Sequence, residues 1–425
     1  MRLLCLSNGH GEDIIAVRIL QALRAYPQVQ DVTVLPLVGE GHSYQSAGLQ
    51  PDGPTQTMPS GGFVYMDSRQ LLKDVKGGLV QLTLKQLGAI GQWAQEAKRA
   101  DRGKKSESLV LAVGDIVPLL FAWWSGLPYA FVGTAKSEYY LRDEVGLLPC
   151  QSRRESWEAW SGSVYLPWER WLMRRSHCRA VFPRDGLTAD ILSQKRIKAF
   201  SLGNPMMDGL EPDPRPNLDE NPWQNCLRVL LLPGSRPPEV YCNWQLLLQA
   251  IDSVISASGG RKILFLAAIS PGLEWEPLFD ALKRQGWRLQ EPGKQSKAAI
   301  VADAHHFWRN NCGVQLSQSG YGAYLQCSDI AIAMAGTATE QFVGLGKPVI
   351  SIPGDGPQFT PKFAEAQTRL LGTAVTLVAS CSEVGSTLQQ ILTDPDRLQL
   401  IAQTGYQRMG SPGAADRIAA KLMEL

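Results

Sequence analysis

Short apolar runs recur along the chain, and several are followed by a turn of small residues and then by a stretch with helical periodicity. The first example is Arg2–Leu6, which predicts a strand, followed by the glycine-containing turn Ser7–Asp13. A helical face of apolar residues comes next, at Ile14, Val17, Leu20 and Leu23. This order is typical of the start of a doubly wound α/β domain. The glycine spacing is not that of a dinucleotide fingerprint, and no Walker A pattern occurs.

The same alternation continues through two halves of the chain. Further strands are predicted in the first half at Val32–Val38, Leu109–Val113, Pro128–Gly133, Ala180–Pro183 and Ala199–Leu202, with a loop at Gly39–Met58. In the second half they are predicted at Val229–Leu232, Lys262–Ala267, near Ala299 and Val314, and at Ile330–Met334 and Pro348–Ile352. Between the halves, the stretch 211–224 is rich in Pro, Asp and Asn and reads as a linker. We therefore predict an N-terminal domain at 1–210, a C-terminal domain at 225–404 and a last helical segment at 405–425.

Composition narrows the function classes. A chain of 425 residues is long for one core, which supports two domains. The net charge of +2 argues against a nucleic-acid partner. The eight cysteines are scattered without a CxxC pair, which argues against zinc and disulfide frameworks and fits a reducing cytoplasm. No uninterrupted apolar stretch reaches the length of a membrane span.

Two turns in the second half are suited to bind an anion. The first, Gly234-Ser235-Arg236, follows a predicted strand and carries a cation. The second is Gly336 with Thr337-Ala338-Thr339-Glu340, which predicts a capping box at the start of a short helix. Small residues at a helix N-terminus let phosphate oxygens approach backbone N–H groups. The alternatives are an ordinary βαβ crossover and, for Arg236, a surface salt bridge.

In the first half, Asp115 follows directly after a predicted buried strand. The carboxyl ends of strands face the ligand crevice in open α/β sheets, so Asp115 is a candidate for chemistry. The alternative is an N-cap or turn aspartate. The nearest approach to a metal motif is His305-His306, which we interpret as a loop pair, and no metal site is predicted.

The segment 151–179 has a different character, because it interleaves Trp157, Trp160, Trp168 and Trp171 with several arginines. Such a pattern can seat in a lipid headgroup layer or against a lipid-like substrate. The alternative, which we favour at this point, is an amphipathic segment whose tryptophans pack on the sheet.

Taken together, these motifs resemble the lipid-A-disaccharide synthases and their relatives in photosynthetic organisms, within the GT-B glycosyltransferases. The matching pieces, in the family's order, are the turn Asn8–Asp13, the stretches Gly203–Asp208 and Leu232–Arg236, and Ala335–Glu340. The resemblance implies an α/β fold of GT-B architecture, with two Rossmann-like parallel-sheet domains facing a central cleft.

The resemblance also implies an inverting, metal-independent transfer of a hexose or N-acetylhexosamine from a UDP-sugar to a lipid or lipid-linked acceptor, at the cytoplasmic face of a membrane. The UDP-sugar would be a substrate, and no cofactor is implied. Arg236 would meet the diphosphate together with the helix that begins at Thr337, and Glu340 would bind the ribose. Gln358 and Gln367 would contact the donor sugar or a phosphate.

The acceptor side departs from the family pattern, because the early glutamate of the family's first turn is Gly9 here and His10 follows it. The candidates for the base that deprotonates the acceptor are Asp115, His10 and Glu12, and Asp115 is favoured for its position at a strand end. His10 comes second because an unperturbed imidazole titrates near neutrality. A UDP-sugar 2-epimerase and a binding protein that has lost catalysis remain as alternatives.

Overall fold

The computed structural model describes residues 1–56, 78–101, 108–210, 223–290 and 299–425. The chain divides into two compact units. Unit 1 comprises Met1–Asp208 and Ser411–Leu425, and unit 2 comprises Gly209–Gly410. Both are Rossmann-like α/β units. Of the predicted linker 211–224, only the last two residues are described, and one of them, Trp223, is buried and stacks on Trp308 with ring centres 4.9 Å apart. Trp223 therefore belongs to the core of unit 2.

Unit 1 is built on a five-stranded sheet in the order β2-β1-β3-β4-β5, in which all neighbouring strands are parallel. Alternate residues of β1 pack on opposite faces of the sheet: Leu3 and Cys5 join one core cluster, and Leu4 and Leu6 join the other. Burial on both faces explains why the strands read as continuous apolar runs. The strands are β1 (Arg2–Ser7), β2 (Asp31–Pro36), β3 (Ser108–Gly114), β4 (Tyr129–Gly133) and β5 (Cys178–Pro183).

Helices cover both faces of this sheet. They span His10–Leu23, His42–Ser46, Leu79–Ala100, Ile116–Trp124, Arg153–Ser161, Pro167–Met173, Gly186–Gln194 and, at the C-terminus, Ala414–Met423. The helix His42–Ser46 lies where we predicted only loop, because five residues are too few to show a helical repeat. Residues 199–202 form one isolated bridge, at Ala199, instead of the predicted strand.

The C-terminal helix is joined to unit 1 by Asp208. Its carboxylate accepts hydrogen bonds from the backbone N–H groups of Gly413, Ala414 and Ala415 at 2.6, 3.0 and 2.7 Å. These N–H groups open the helix and have no acceptor within it. The carboxylate also lies at the positive end of the helix dipole, so Asp208 caps the helix and fixes its docking.

Replacing Asp208 with alanine should lower the free energy of unfolding by about 3 kcal/mol, because three charge-assisted hydrogen bonds are lost together. Urea denaturation followed by circular dichroism measures this change. Asp416 is the matched control: it lies in the first turn of the same helix but is exposed, so Asp416→Ala should cost less than about 0.5 kcal/mol. Equal losses in the two variants would contradict the capping role.

Unit 2 has an eight-stranded sheet in the order β13-β12-β11-β6-β7-β10-β9-β8. The six strands from β13 to β10 are parallel, whereas β9 is antiparallel to both of its neighbours. The strands are β6 (Leu227–Leu232), β7 (Ile263–Ala268), β8 (Arg288–Leu289), β9 (His305–Arg309), β10 (Cys312–Ser317), β11 (Ile330–Ala333), β12 (Val349–Ser351) and β13 (Val375–Leu377). The helices are Glu239–Ala257, Trp275–Arg284, Tyr321–Cys327, Thr337–Gly344, Pro361–Leu371, Val384–Leu392 and Pro395–Met409.

Two predictions are wrong at the antiparallel edge of the unit 2 sheet. His305 and His306 lie in strand β9 and are not a loop pair. No strand forms at Ala299; the chain instead makes the hairpin of β9 and β10, whose turn is Asn310-Asn311 with Asn310 at a φ of 55°. A left-handed Asn in a two-residue turn is typical of such hairpins. In the described part of the chain, no helix is both long enough and apolar enough to span a bilayer.

Candidate functional site

The turn after β6 brings a cation to the carboxyl edge of the unit 2 sheet. Gly234 has a φ of 94°, a conformation that favours glycine. Ser235 is exposed and Arg236 is half-buried. Burial lowers the pKa of the Arg236 guanidinium, and the nearby Glu239 carboxylate counteracts that shift. A guanidinium that is partly removed from water attracts an anion more strongly than one on the open surface.

The turn after β11 opens the helix Thr337–Gly344, but it is not a capping box. The N-cap is Gly336, and no side chain caps this end. Thr339 is fully buried, and its hydroxyl donates to the Ala335 carbonyl at 2.6 Å, on the side away from solvent. The predicted Thr337–Glu340 box is therefore wrong, because Thr337 already lies inside the helix. The first-turn N–H groups, which have no intrahelical acceptor, are left without a side-chain cap.

These two turns lie side by side. Strands β6 and β11 are parallel neighbours, and the Met334 N–H donates to the Leu232 carbonyl at 2.9 Å just where both strands end. A Cβ placed on Gly234 would lie 3.4 Å from the Met334 carbonyl oxygen, so the two turns are in contact. Gly234 and Ser235 thus share one edge with Gly336, Thr337 and Ala338.

A further predicted residue, Gln367, supports the second turn from behind. Gln367 is 2% exposed, and its side-chain amide donates to the carbonyls of Ala335 and Gly336 at 3.1 and 3.3 Å. In this position it braces the turn. Glu340 is also buried, at 8% exposed, on the first turn of the helix. The two hydrogen bonds of Gln367 limit how far the turn can move.

The loop after β12 is fastened to the first turn by Glu239, which sequence reasoning missed. Its buried carboxylate accepts the N–H groups of Gln358 and Phe359 at 3.1 and 2.6 Å. The Gln358 side chain itself is exposed. One helical turn further on, Asn243 is buried and donates to the Pro233 carbonyl at 3.0 Å. The sequence contained a signal for these contacts. Glu239 and Asn243 are polar residues four positions apart, shortly after Arg236 and at the start of an apolar helix.

In unit 1, the carboxyl edge of the sheet gathers acidic side chains. Asp115 is the N-cap of the helix Ile116–Trp124 and accepts the Val117 N–H at 2.8 Å. It also accepts a hydrogen bond from the side chain of Asn8, at the end of β1. Burial raises the pKa of the Asp115 carboxyl, although both hydrogen bonds oppose the rise. The capping geometry matches the alternative interpretation given above, and the raised pKa still suits a base.

Glu12 lies near Asp115, on the first turn of the helix His10–Leu23. The Thr134 hydroxyl, just beyond the end of β4, donates to its Oε1 at 3.2 Å. Burial raises the pKa of the Glu12 carboxyl, and the negative charge of Asp115 adds to the rise. Two carboxyls with raised pKa values at one sheet edge are candidates for a general base, because a raised pKa makes a carboxylate a stronger proton acceptor.

The third base candidate, His10, lies beside different residues. Its Nδ1 is 3.3 Å from the Ser43 hydroxyl, and it lines a groove of about 380 Å³ formed by the helices His10–Leu23 and His42–Ser46. Asp13, which we had not singled out, is buried and accepts the Ser7 hydroxyl at 2.5 Å. Burial raises the pKa of the Asp13 carboxyl to about 7. Asp13 lies on the first turn of the helix His10–Leu23.

Comparison of the sequence with known families gave no match to a family model, and comparison with curated proteins gave no match either. Solved structures do match over the whole chain. The MnaA–UDP co-structure from S. aureus is 13% identical with a TM-score of 0.56, and it covers 99% of this chain and 96% of that one. The UDP-GlcNAc 2-epimerase from Neisseria meningitidis bound to UDP-GlcNAc is 14% identical with a TM-score of 0.55 and covers 100% of both chains.

MurG from Acinetobacter baumannii is 12% identical with a TM-score of 0.55, and it covers 100% of this chain and 99% of that one. Identities this low establish the fold alone. The chain has the GT-B fold, built from two Rossmann-like units.

Proposed function

We propose that the protein is a UDP-sugar-dependent glycosyltransferase whose acceptor is a lipid or a lipid-linked sugar, as in the lipid-A-disaccharide synthases that it resembles. The observation that carries this proposal is the pair of adjacent turns in unit 2. A half-buried guanidinium lies on one turn, and an uncapped helix N-terminus opens from the other. Together they suit a diphosphate, which needs both positive charge and N–H donors. Structures of the same fold carry UDP or UDP-GlcNAc, so the fold is compatible with such a donor.

The reaction would proceed by direct displacement. The acceptor hydroxyl oxygen attacks the anomeric carbon of the donor sugar, and the bond from that carbon to the UDP oxygen breaks. The acceptor proton passes to a carboxylate, for which we propose Glu12, because the Asp115 carboxylate already caps the helix Ile116–Trp124; Asp115 is the rival. The negative charge that develops on UDP would be stabilised by Arg236 and by the N–H groups at Gly336–Thr339. Glu340 would bind the ribose, and Gln358 the sugar or a phosphate. Gln367 would hold the turn in shape.

A UDP-sugar 2-epimerase is the second candidate, because structures named as such share this fold. The two reactions differ in what they need. An epimerase converts the UDP-sugar alone, whereas a transferase releases UDP only when an acceptor is present.

The deciding experiment incubates the purified protein with UDP-GlcNAc and other UDP-sugars, with and without a membrane lipid extract, and follows UDP and the sugar epimers by chromatography. We expect UDP release that depends on the lipid extract. A new UDP-sugar epimer formed without lipid would overturn the transferase assignment. Donor binding without either product would indicate a protein that has lost catalysis.

A further inference from the structure

Unit 1 exposes a row of tryptophans that crosses three helices. Trp168 and Trp171 are three residues apart on the helix Pro167–Met173 and therefore share one face. Trp168 contacts Trp157 of the helix Arg153–Ser161, and Trp171 contacts Trp123 of the helix Ile116–Trp124, both with ring centres 5.5 Å apart. We call this row, with its neighbours Trp124 and Trp160, the tryptophan face.

Five of the six tryptophans of this face are exposed, whereas Trp123 is half-buried and packs against the core. Trp157, Trp168 and Trp171 are 43, 48 and 46% exposed, and Trp160 is 80% exposed. The expectation that the tryptophans of 151–179 pack on the sheet is therefore wrong. The residues of these helices that pack inward are Leu172 and Met173 and the paired acids Glu158 and Glu169. Exposed aromatic groups in such density on one side of a unit indicate an interaction surface.

The charge around the tryptophan face is positive. Segment 151–179 contains six arginines against three glutamates. Glu158 and Glu169 are buried and paired, with Arg154 and Lys136 respectively. The exposed charges of the segment are arginines: Arg153, Arg154, Arg174, Arg175 and Arg179. The Arg175 guanidinium lies over the Trp171 ring, 4.5 Å from its centre, so a cation and an aromatic ring are adjacent on this surface.

We infer that the tryptophan face docks on an anionic phospholipid bilayer. Indole rings prefer the layer between water and acyl chains, and arginines beside them pair with lipid phosphates. The partner follows from this combination: the rings fit the interfacial layer, and the surplus of arginine complements anionic headgroups.

The docked face would lie close to the proposed acceptor edge. On the helix that carries Trp168 and Trp171, Glu169 points inward and pairs with Lys136 at 2.6 Å. Lys136 lies two residues beyond Thr134, which binds Glu12. A bilayer at this face would thus lie next to the edge at which a lipid-linked acceptor has to arrive. This last step rests on the proposed function, whereas the docking itself does not.

Vesicle co-sedimentation without any nucleotide tests the docking. We expect the full chain to bind vesicles of phosphatidylcholine mixed with phosphatidylglycerol and to lose affinity as salt is raised. The double variant Trp160→Ala, Trp168→Ala should bind about 100-fold more weakly, because two interfacial aromatic groups are lost. The variant Arg153→Gln, Arg175→Gln should bind about 30-fold more weakly to the mixed vesicles and be unchanged on phosphatidylcholine alone.

Matched controls lie in unit 2. Leu400→Ala removes another exposed apolar side chain, and Arg284→Gln with Arg288→Gln removes two exposed cations; neither should change binding. Binding that all variants retain would overturn the proposal. So would a wild type that ignores vesicles but self-associates in analytical ultracentrifugation through the same tryptophans. Either failure would leave the UDP experiments unaffected, so the two proposals stand or fall separately.

Discussion

Glu12→Gln should lower the turnover of sugar transfer by roughly two to four orders of magnitude and leave the affinity for UDP unchanged. The carboxylate lies at the acceptor-side edge of unit 1, whereas the proposed diphosphate site is in unit 2. Glutamine keeps the size of the side chain and its contact with Thr134 but cannot accept a proton. Steady-state kinetics with the lipid acceptor, together with calorimetric titration of UDP, measures both quantities.

Asp115→Asn is the matched variant, because asparagine can still cap the helix Ile116–Trp124. Of the two carboxylates, the true base is the one whose amide variant loses turnover by roughly two to four orders of magnitude with donor affinity kept. Unchanged turnover in Asp115→Asn eliminates Asp115 as the base. Unchanged turnover in both variants would exclude Glu12 and Asp115 as the base and leave His10 of the three candidates.

The pH profile gives an independent test of the same assignment. A base works when it is deprotonated, and burial raises the pKa of both carboxyls in the folded protein. Activity should therefore fall as pH drops through this raised pKa, at a higher pH than for an ordinary carboxylate. This acidic limb should disappear from the residual activity of the variant that lacks the base. A limb that persists in both variants would point to a different group.

Most of the parallel strands and the positions of the two turns after β6 and β11 could be predicted because they depend on local sequence, whereas β8, β9 and β13 had no predicted counterpart. Buried parallel strands need continuous apolar runs, and the sharp turn at Gly234 needs a left-handed residue. The cap at Gly336 could not be predicted in the same way, since Thr337-Ala338-Thr339-Glu340 satisfies the capping-box pattern. In the structure the helix starts one residue earlier, and the Thr339 hydroxyl binds the Ala335 carbonyl one helical turn back.

Long-range packing decided the rest of the candidate site. Whether the tryptophans of segment 151–179 face the sheet or the solvent depends on which face of each helix meets unit 1, and periodicity does not show this. Gln367 likewise has no local signal for its role, because it binds carbonyls that lie 31 and 32 residues away in the chain. Glu239 was within reach of sequence reasoning, since Glu239 and Asn243 are polar residues four positions apart at the start of an apolar helix.

The second large effect is expected on the donor side. Arg236→Ala should weaken UDP binding by about 10- to 150-fold, which corresponds to the loss of one or two charge-assisted hydrogen bonds to phosphate. Arg236→Lys should recover part of this loss, because lysine keeps the charge but not the forked geometry. Glu340→Ala should weaken UDP binding as well and should hardly affect binding of inorganic diphosphate, which lacks the ribose. Isothermal titration calorimetry with UDP and with diphosphate separates the two roles.

The control for both variants is Arg261→Ala, an exposed cation of the same unit away from the turns, which should leave UDP affinity unchanged.

Glu239→Gln distinguishes direct contact from positioning. Its carboxylate holds the loop of Gln358 and Phe359, so its loss should weaken UDP-sugar binding and also lower the melting temperature. Arg236→Ala should change affinity alone. If UDP does not bind to the wild type at all, the two turns are ordinary crossovers and the transferase assignment falls with them. If UDP binds and both Arg236→Ala and Glu340→Ala retain it, the nucleotide lies elsewhere on unit 2.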